Sequence, residues 1–322
     1  MESRSFVEAK TREIFDGSIF NVVTNPIDDP HVQSFTIKSK DNADCLMLWF
    51  QHNEGTLKVS RLEKCNAGDA GKGNALLHQV NALASSIPEI HSIKLIDASV
   101  ITLCDVIINF STLRILTTGI SWYNSHGYFS ENHAENVEHN QSIITQPFDQ
   151  MLLAAFQKNL EIFRENNTRE KITDIIRRTA MRMTQTHDAW ARRFKKYQDI
   201  LNDYDNYMQT GLSDVKLQFS EITNNHVFTD VPLTDTVRAY VTGVLHSIGG
   251  PSLRCDPVQT ERAELLKKIV DFMQPLIMYN DDLTKPVIHR AGGKRRRMQT
   301  KINGKKGCKK SKKSKRNNKR KS

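Results

Sequence analysis

Residues 45–77 read CLMLWFQHNEGTLKVSRLEKCNAGDAGKGNALL, and the fold is decided there. Cys45-Leu-Met-Leu-Trp-Phe50 is a short continuous apolar run, the pattern of a central strand. Asn53-Glu54-Gly55 interrupts it as a turn does. Leu57 and Val59 then alternate with polar neighbours, which predicts a hairpin partner. Gly68-Asp-Ala-Gly-Lys-Gly73 follows, and Ala75, Leu76, Val80, Leu83 and Ala84 recur at helical spacing until Pro88 closes the segment. Outward from this stretch, Phe35 and Ile37 alternate as in a half-buried strand, and Ser92-Ile-Lys-Leu-Ile96 reads as another. Residues 101–116 read as a second, largely apolar helix, and Gly119–Ser130 gathers aromatics. Strands followed by alternating helix and strand predict an α/β (α+β) core, a mixed sheet with flanking helices.

Beyond it the pattern changes. Residues 131–147 are polar and read as a linker between a first domain, 1–130, and a mostly helical one, 148–290. Phe148, Leu152, Leu153, Phe156, Leu160 and Phe163 form one apolar stripe. A longer amphipathic stretch, 169–205, places Ile172, Ile176, Met183, Trp190, Phe194, Tyr197 and Leu201 on its apolar side. Asp256-Pro257-Val258-Gln259 has the order of a helix start: capping carboxylate, proline in the first turn, glutamine at the third position. Pro275 ends or kinks that helix.

The charge is divided between body and tail. The 322 residues carry 46 Lys/Arg against 36 Asp/Glu, yet sixteen of the cations fall in 294–322 beside no anion. Residues 1–293 are therefore acidic on balance, and the acidity sits in 1–147, with 11 basic and 17 acidic residues. A tail so charged and so poor in apolar residues cannot offset the entropy of folding, which predicts disorder over 291–322. Such a tail binds nucleic acid or another polyanion with steep salt dependence. It also has the composition of a nuclear import signal and of a segment drawn to anionic membranes. Cys308 lacks the apolar flank of a lipid anchor.

Other classes are set aside. No apolar run approaches the ~20 residues of a membrane span, and MESRSFVEAK lacks the apolar core of a signal peptide. Cys45, Cys65, Cys104, Cys255 and Cys308 are odd in number, scattered and without CxxC spacing, which argues against a disulfide framework and a cysteine zinc site. The expectation is a reduced intracellular protein of nucleus or cytoplasm, its N-x-S/T triplets at Asn109, Asn140 and Asn166 unglycosylated. His126, His133 and His139 lie near Glu131, Glu135 and Glu138, but at no known ligand spacing, so no metal is assigned. Arg177-Arg178 and Arg192-Arg193-Phe-Lys195-Lys196 read as a solvated face or a basic one for nucleic acid, and the zero net charge of 148–293 favours the former.

The Gly68–Gly73 loop lies between an extended segment and a helix, where bare amides and the helix N-terminus suit a phosphate. It lacks the Gly-Lys-Ser/Thr ending of a P-loop, since Asn74 follows Gly73, and Asp97 is too far along for a dinucleotide fingerprint. Taken alone it reads equally as a flexible turn. Trp122, Tyr123 and Tyr128 alone read as packing.

The order of elements, however, resembles the GNAT acetyltransferase superfamily over roughly residues 30–130. Gly71 and Gly73 match the two small positions of that family's pyrophosphate loop, and Asn74-Ala-Leu-Leu77 the start of its helix. Trp122-Tyr123-Asn-Ser-His-Gly127-Tyr128 matches an aromatic-Tyr-x-x-x-Gly-aromatic segment. Gly68 stands where the family has Gln or Arg, and Lys72 where it has an aliphatic residue. The resemblance implies acetyl-CoA as cofactor, held by Gly68, Gly71, Lys72, Gly73 and Asn74, with the amides of Gly71, Lys72 and Gly73 toward the pyrophosphate. It implies an amine acceptor, a protein lysine or small amine, and Tyr123 as the acid that reprotonates the thiolate. Glu63 lies where a base often stands, and reads also as a surface carboxylate. The competing reading is an inactive scaffold of this fold that binds nucleic acid through 294–322. The acetyltransferase-like core, helical extension and lysine-rich end together also resemble proteins of large DNA viruses, which implies a virion or host-cell role.

Overall fold

The computed structural model describes residues 2–15, 17–63, 65–183, 188–225, 230–248 and 255–289; the tail expected to be disordered lies outside them. A first helix, α1 (Glu2–Ile14), precedes four antiparallel strands: β1 (Phe20–Asn25), β2 (Val32–Ser39), β3 (Asp44–Gln51) and β4 (Thr56–Leu62). A 3₁₀ turn over Gly68–Gly71 leads into α2 (Gly73–Ser86), which crosses back to β5 (Ser92–Ile96), parallel to β4. One strand from the far end of the chain, β8 (Asp282–Pro286), closes the sheet antiparallel to β5, giving the order β1-β2-β3-β4-β5-β8. This is the mixed α/β sheet with flanking helices that the alternation of patterns predicts.

Its core is built from alternate strand residues. Phe35, Ile37, Leu46, Leu48, Phe50 and Leu57 are fully buried with Leu76, Leu77, Val80 and Leu83 of α2. Each such side chain contributes about 2 kcal/mol of transfer free energy, so the four of α2 suffice to fix that helix on the sheet.

Residues 101–116 depart from the expected helix. They open as a hairpin, β6 (Val100–Leu103) and β7 (Val106–Asn109), before α3 (Phe110–Thr118). Six of the eight hairpin residues are Val, Ile or Thr, whose branched Cβ favours strands. Cys104 and Asp105 turn the chain at φ 51° and 63°, the left-handed pair of a two-residue hairpin. The apolar run hides this because Val100 and Ile107 are apolar yet exposed, 61% and 58%, so the alternation of polar with apolar residues is lost. Asn109 then caps α3, its side chain accepting from the Thr112 amide at 2.8 Å.

The linker expected at 131–147 is instead mostly helix, α4 (His133–Ile144), with Asn140 buried and bonded to Met278 at both backbone groups. The helices that follow are α5 (Phe148–Asn166), α6 (Arg169–Met183), α7 (Asp188–Asn202), α8 (Tyr204–Asn225), α9 (Leu233–Ile248) and α10 (Pro257–Met273). Phe148 and Leu152 of α5, Val237 of α9, and Leu266 and Ile269 of α10 share a second core with Ile108 of β7 and Leu113 of α3. The amphipathic stretch 169–205 holds α6, α7 and the first residues of α8. With β8 returned to the sheet, residues 1–288 form one compact unit.

The cysteine expectation is also corrected. Cys45 is bonded to Cys65 and Cys104 to Cys255, with Cα atoms 5.3 and 5.4 Å apart. Sequence spacing missed the first pair because β3 and β4 bring it together: Leu46 lies opposite Leu62, and the Glu63 amide donates to Cys45 O at 2.8 Å. The argument from cysteines to a reducing compartment therefore falls. Among the described residues, no helix is long and apolar enough to cross a membrane.

The capping signature at α10 is realised in full. Asp256 Oδ1 accepts from the Gln259 amide, and Gln259 Oε1 accepts from the Asp256 amide, both at 2.8 Å. Asp256→Ala should lower stability by about 1 kcal/mol, read as a shifted denaturant midpoint at unchanged slope. An unshifted midpoint would remove the cap from the account.

Candidate functional site

A bulge in β4 creates the site. Leu48 pairs with Val59 and Met47 with Arg61, so Ser60 falls outside the register with β3, only its hydroxyl donating to Met47 O at 3.4 Å. An extra residue bends its strand and sharpens the twist. On the other edge of β4, the parallel pairing with β5 runs from Thr56↔Ser92 to Val59↔Leu95 and stops. Beyond that point each strand follows its outer neighbour: Arg61 and Leu62 stay with β3, while Ile96 stays with Asp282 of β8. The two strands part, and a cavity of about 530 Å³ opens between them.

Ser60, Arg61, Leu62 and Glu63 line one wall, and Ile96, Ala98, Ser99 and Val100 the other. Gly73 and the Trp122–Tyr123 pair complete it. Of the residues assigned from sequence, the fold thus brings Tyr123, Glu63 and Gly73 to one cavity. Gly68, Gly71, Lys72 and Asn74 are not among the residues lining it.

The glycines have separate reasons. Gly68 sits at φ 59° and makes the turn. A Cβ on Gly71 would stand 2.3 Å from the Cys65 carbonyl oxygen, so Gly71 serves the close approach of the loop to the disulfide. A Cβ on Gly73 would meet the Trp122 ring at 3.2 Å. Lys72 departs from its expected part, because its amide donates to Asp69 O at 3.3 Å and its ammonium pairs with the exposed Asp69 carboxylate at 2.6 Å. The N-terminus of α2 begins at Gly73 with no side-chain cap. Its first amides, at Gly73, Asn74 and Ala75, have no carbonyl one turn back within the helix and carry its partial positive charge.

Tyr123 is fixed by its own segment and by β8. The Tyr128 amide donates to Tyr123 O, and the Asn124 side chain donates to Tyr128 O at 2.8 Å. Phe129 and Thr284 exchange both backbone hydrogen bonds, and Lys285 donates to His126 O at 2.8 Å. The Tyr123 ring packs edge-on against Trp122 and Tyr128, with centroids 4.7 and 6.1 Å away. Burial, and then the charge of Asp97, push its phenol well above the ordinary range, so it is a proton donor at any physiological pH.

Asp97, beside this phenol, was passed over in the sequence. It is buried at the end of β5. Oδ1 accepts from the Ser99 amide at 3.1 Å and from the Ser99 hydroxyl at 2.5 Å, and Oδ2 accepts from Tyr279. Ser99 lines the cavity and also touches Ser111, hydroxyl to hydroxyl, at 2.9 Å. The available signal was Asp-x-Ser at a strand end, a turn pattern too common to single out; Tyr279, 182 residues away, has none. Glu63 is half exposed and bound to Arg61 at 2.8 Å. The three histidines go elsewhere: His126 to Trp122 O, His139 to Leu276 O, and His133 against the Phe129 ring.

Tyr123, Tyr128 and Tyr279 are all pushed upward, chiefly by burial. Below pH ~10 they are neutral whether folded or unfolded, and their contribution is intact. Above it the unfolded chain loses protons that the fold keeps, so stability falls by about 1.4 kcal/mol per pH unit for each phenol. The unfolding midpoint should drop between about pH 10 and 11, and Tyr128→Phe should flatten the drop in part, since Tyr207 and Tyr240 are raised by burial as well. A midpoint indifferent to pH there would contradict the burial of these phenols.

Comparison of the chain with family models, with curated proteins and with solved structures finds no match in any of the three.

Proposed function

We propose that the chain moves an acetyl group from acetyl-CoA to an amine. The observation that carries the reading is the parting of β4 and β5 after Val59 and Leu95, with an uncapped helix start at one side of the gap and a buried phenol at another. A strand edge freed from its neighbour offers amide and carbonyl groups to an extended, amide-bearing chain, which is the nature of a pantetheine arm. Leu62, Ile96 and Val100 supply apolar wall for it. The diphosphate belongs at the Gly73–Ala75 amides, where a helix start favours anions.

The chemistry follows from what lines the gap. The amine nitrogen attacks the thioester carbonyl, the C–N bond forms as the C–S bond breaks, and the sulfur leaves as thiolate. Tyr123, kept protonated by burial and by the Asp97 charge, gives its proton to that sulfur. Before the attack the acceptor's ammonium gives one proton to Ser99 as Ser99 passes its own to Asp97, already joined at 2.5 Å, so that the neutral amine attacks. The second proton, lost from nitrogen as the amide forms, restores the Tyr123 phenol, and Asp97 returns its proton to solvent. Glu63, tied to Arg61, stands at the cavity rim and attracts a cationic acceptor. The acidic balance of residues 1–147 acts in the same direction.

Calorimetry with CoA and turnover with acetyl-CoA and a panel of amines test this. Asn74→Glu should weaken CoA about tenfold by placing a carboxylate at the helix start. Gly71 is a poor choice for this purpose, because any side chain there collides with Cys65. Tyr123→Phe should leave CoA affinity unchanged and lower kcat by about 10²-fold. CoA binding without turnover on any amine would favour the inactive scaffold; no binding at millimolar CoA would overturn the proposal.

A further inference from the structure

The helical pair α6–α7 carries a second feature, independent of the cavity between β4 and β5. Residues 177–196 hold seven Lys/Arg against one acidic residue, Asp188. The charge is not spread evenly along a solvated face. Arg178 and Arg182 of α6 and Arg193 of α7 line one cleft of about 300 Å³ with Trp190, Thr179 and Ile175. That volume is at the small end of ordinary ligand sites, ~300–1,000 Å³.

The three arginines are held differently. Arg178 shares Asp174 with Arg177, at 3.0 and 3.3 Å. Arg182 and Arg193 make no ion pair among the described residues and lie over the Trp190 ring instead, their guanidinium carbons 4.9 and 5.8 Å from its centre. Arg193 also lies 5.9 Å from the Tyr197 ring. A guanidinium beside an indole ring keeps N–H groups that can donate to oxygen atoms. Two cations brought together without a carboxylate repel each other, and an anion between them relieves that repulsion. A pair of guanidinium groups so placed favours an anion, and the planar fork matches phosphate.

We propose that this cleft binds the backbone of single-stranded nucleic acid, with the Arg182 and Arg193 forks on phosphates and a base against the indole of Trp190. Concavity decides against a lipid surface, since a flat array of headgroups does not enter a cleft between two helices, whereas a flexible strand does. The indole decides against a duplex, whose bases are stacked on one another and unavailable to it. The site stands whether or not the chain is an acetyltransferase.

The test uses the full chain, tail included, and an oligothymidylate of about 20 nucleotides. Trp190 is the local reporter: titration should quench a part of the fluorescence that Trp190→Phe lacks. Arg182→Gln/Arg193→Gln should abolish that quenching, weaken binding about tenfold near physiological salt and reduce the slope of log affinity against log salt by about 1.4. The tail is present in every variant, so its contribution cancels. The proposal is overturned if the double variant binds with the same affinity and slope. It is overturned equally if duplex of the same length quenches Trp190 as well as the single strand does, or if only phosphatidylserine vesicles do. Far-ultraviolet dichroism equal to that of the unaltered chain must accompany the result, and the single Arg193→Lys variant, retaining charge but not the fork, should show an intermediate loss.

Discussion

One residue outside the strand register, Ser60, is the constraint on which the site depends. A strand in the middle of a sheet must satisfy its backbone groups on both edges. The bulge lets β4 remain bonded to β3 through Leu62 while it turns away from β5. On the far side β8 holds β5 through Ile96, and the Asp97 amide donates to Asp281 O at 2.8 Å. The gap is thus made without unravelling the sheet, and the polar edges left bare face the cavity rather than a dry core.

The far end of the chain completes this arrangement. β8 pairs with the edge of β5 away from β4, bonds Phe129 and thereby fixes the segment that carries Tyr123, and Tyr279, just before β8, holds Asp97. The helices α4 to α10 return the chain to the sheet, so they belong to the site's construction as much as to any separate role. The Cys45–Cys65 bond closes a span of 20 residues, worth about 3 kcal/mol in the chain-entropy picture. It also seats Cys65, against whose carbonyl Gly71 packs at the end of the turn, two residues before α2 begins at Gly73.

What the sequence disclosed was local. The β3–β4 hairpin, the start of α2 and the capping box at Asp256 depend on neighbours a few residues apart, and the patterns around Phe50, Ala75 and Gln259 state them. The β6–β7 hairpin failed because apolar Val100 and Ile107 stand on its exposed face, which erases the two-residue period that separates strand from helix. The helix at 133–144 failed because its buried positions include Asn140, a polar residue that pattern reading assigns to solvent. Tyr123, Glu63 and Gly73 were found by resemblance and prove to share one cavity. Asp97, Ser99 and Tyr279 were not, since a hydrogen bond across 182 residues leaves no trace in spacing. The disulfides escaped for the same reason.

Hydrogen exchange read by mass spectrometry, with and without CoA, tests the parted strands most directly. The account predicts slowed exchange in peptides covering Ser60–Glu63, Gly73–Leu77 and Ile96–Val100 together, with the distant helix α10 unchanged. Exchange unaltered in all three, or protection confined to other parts of the chain, would contradict it.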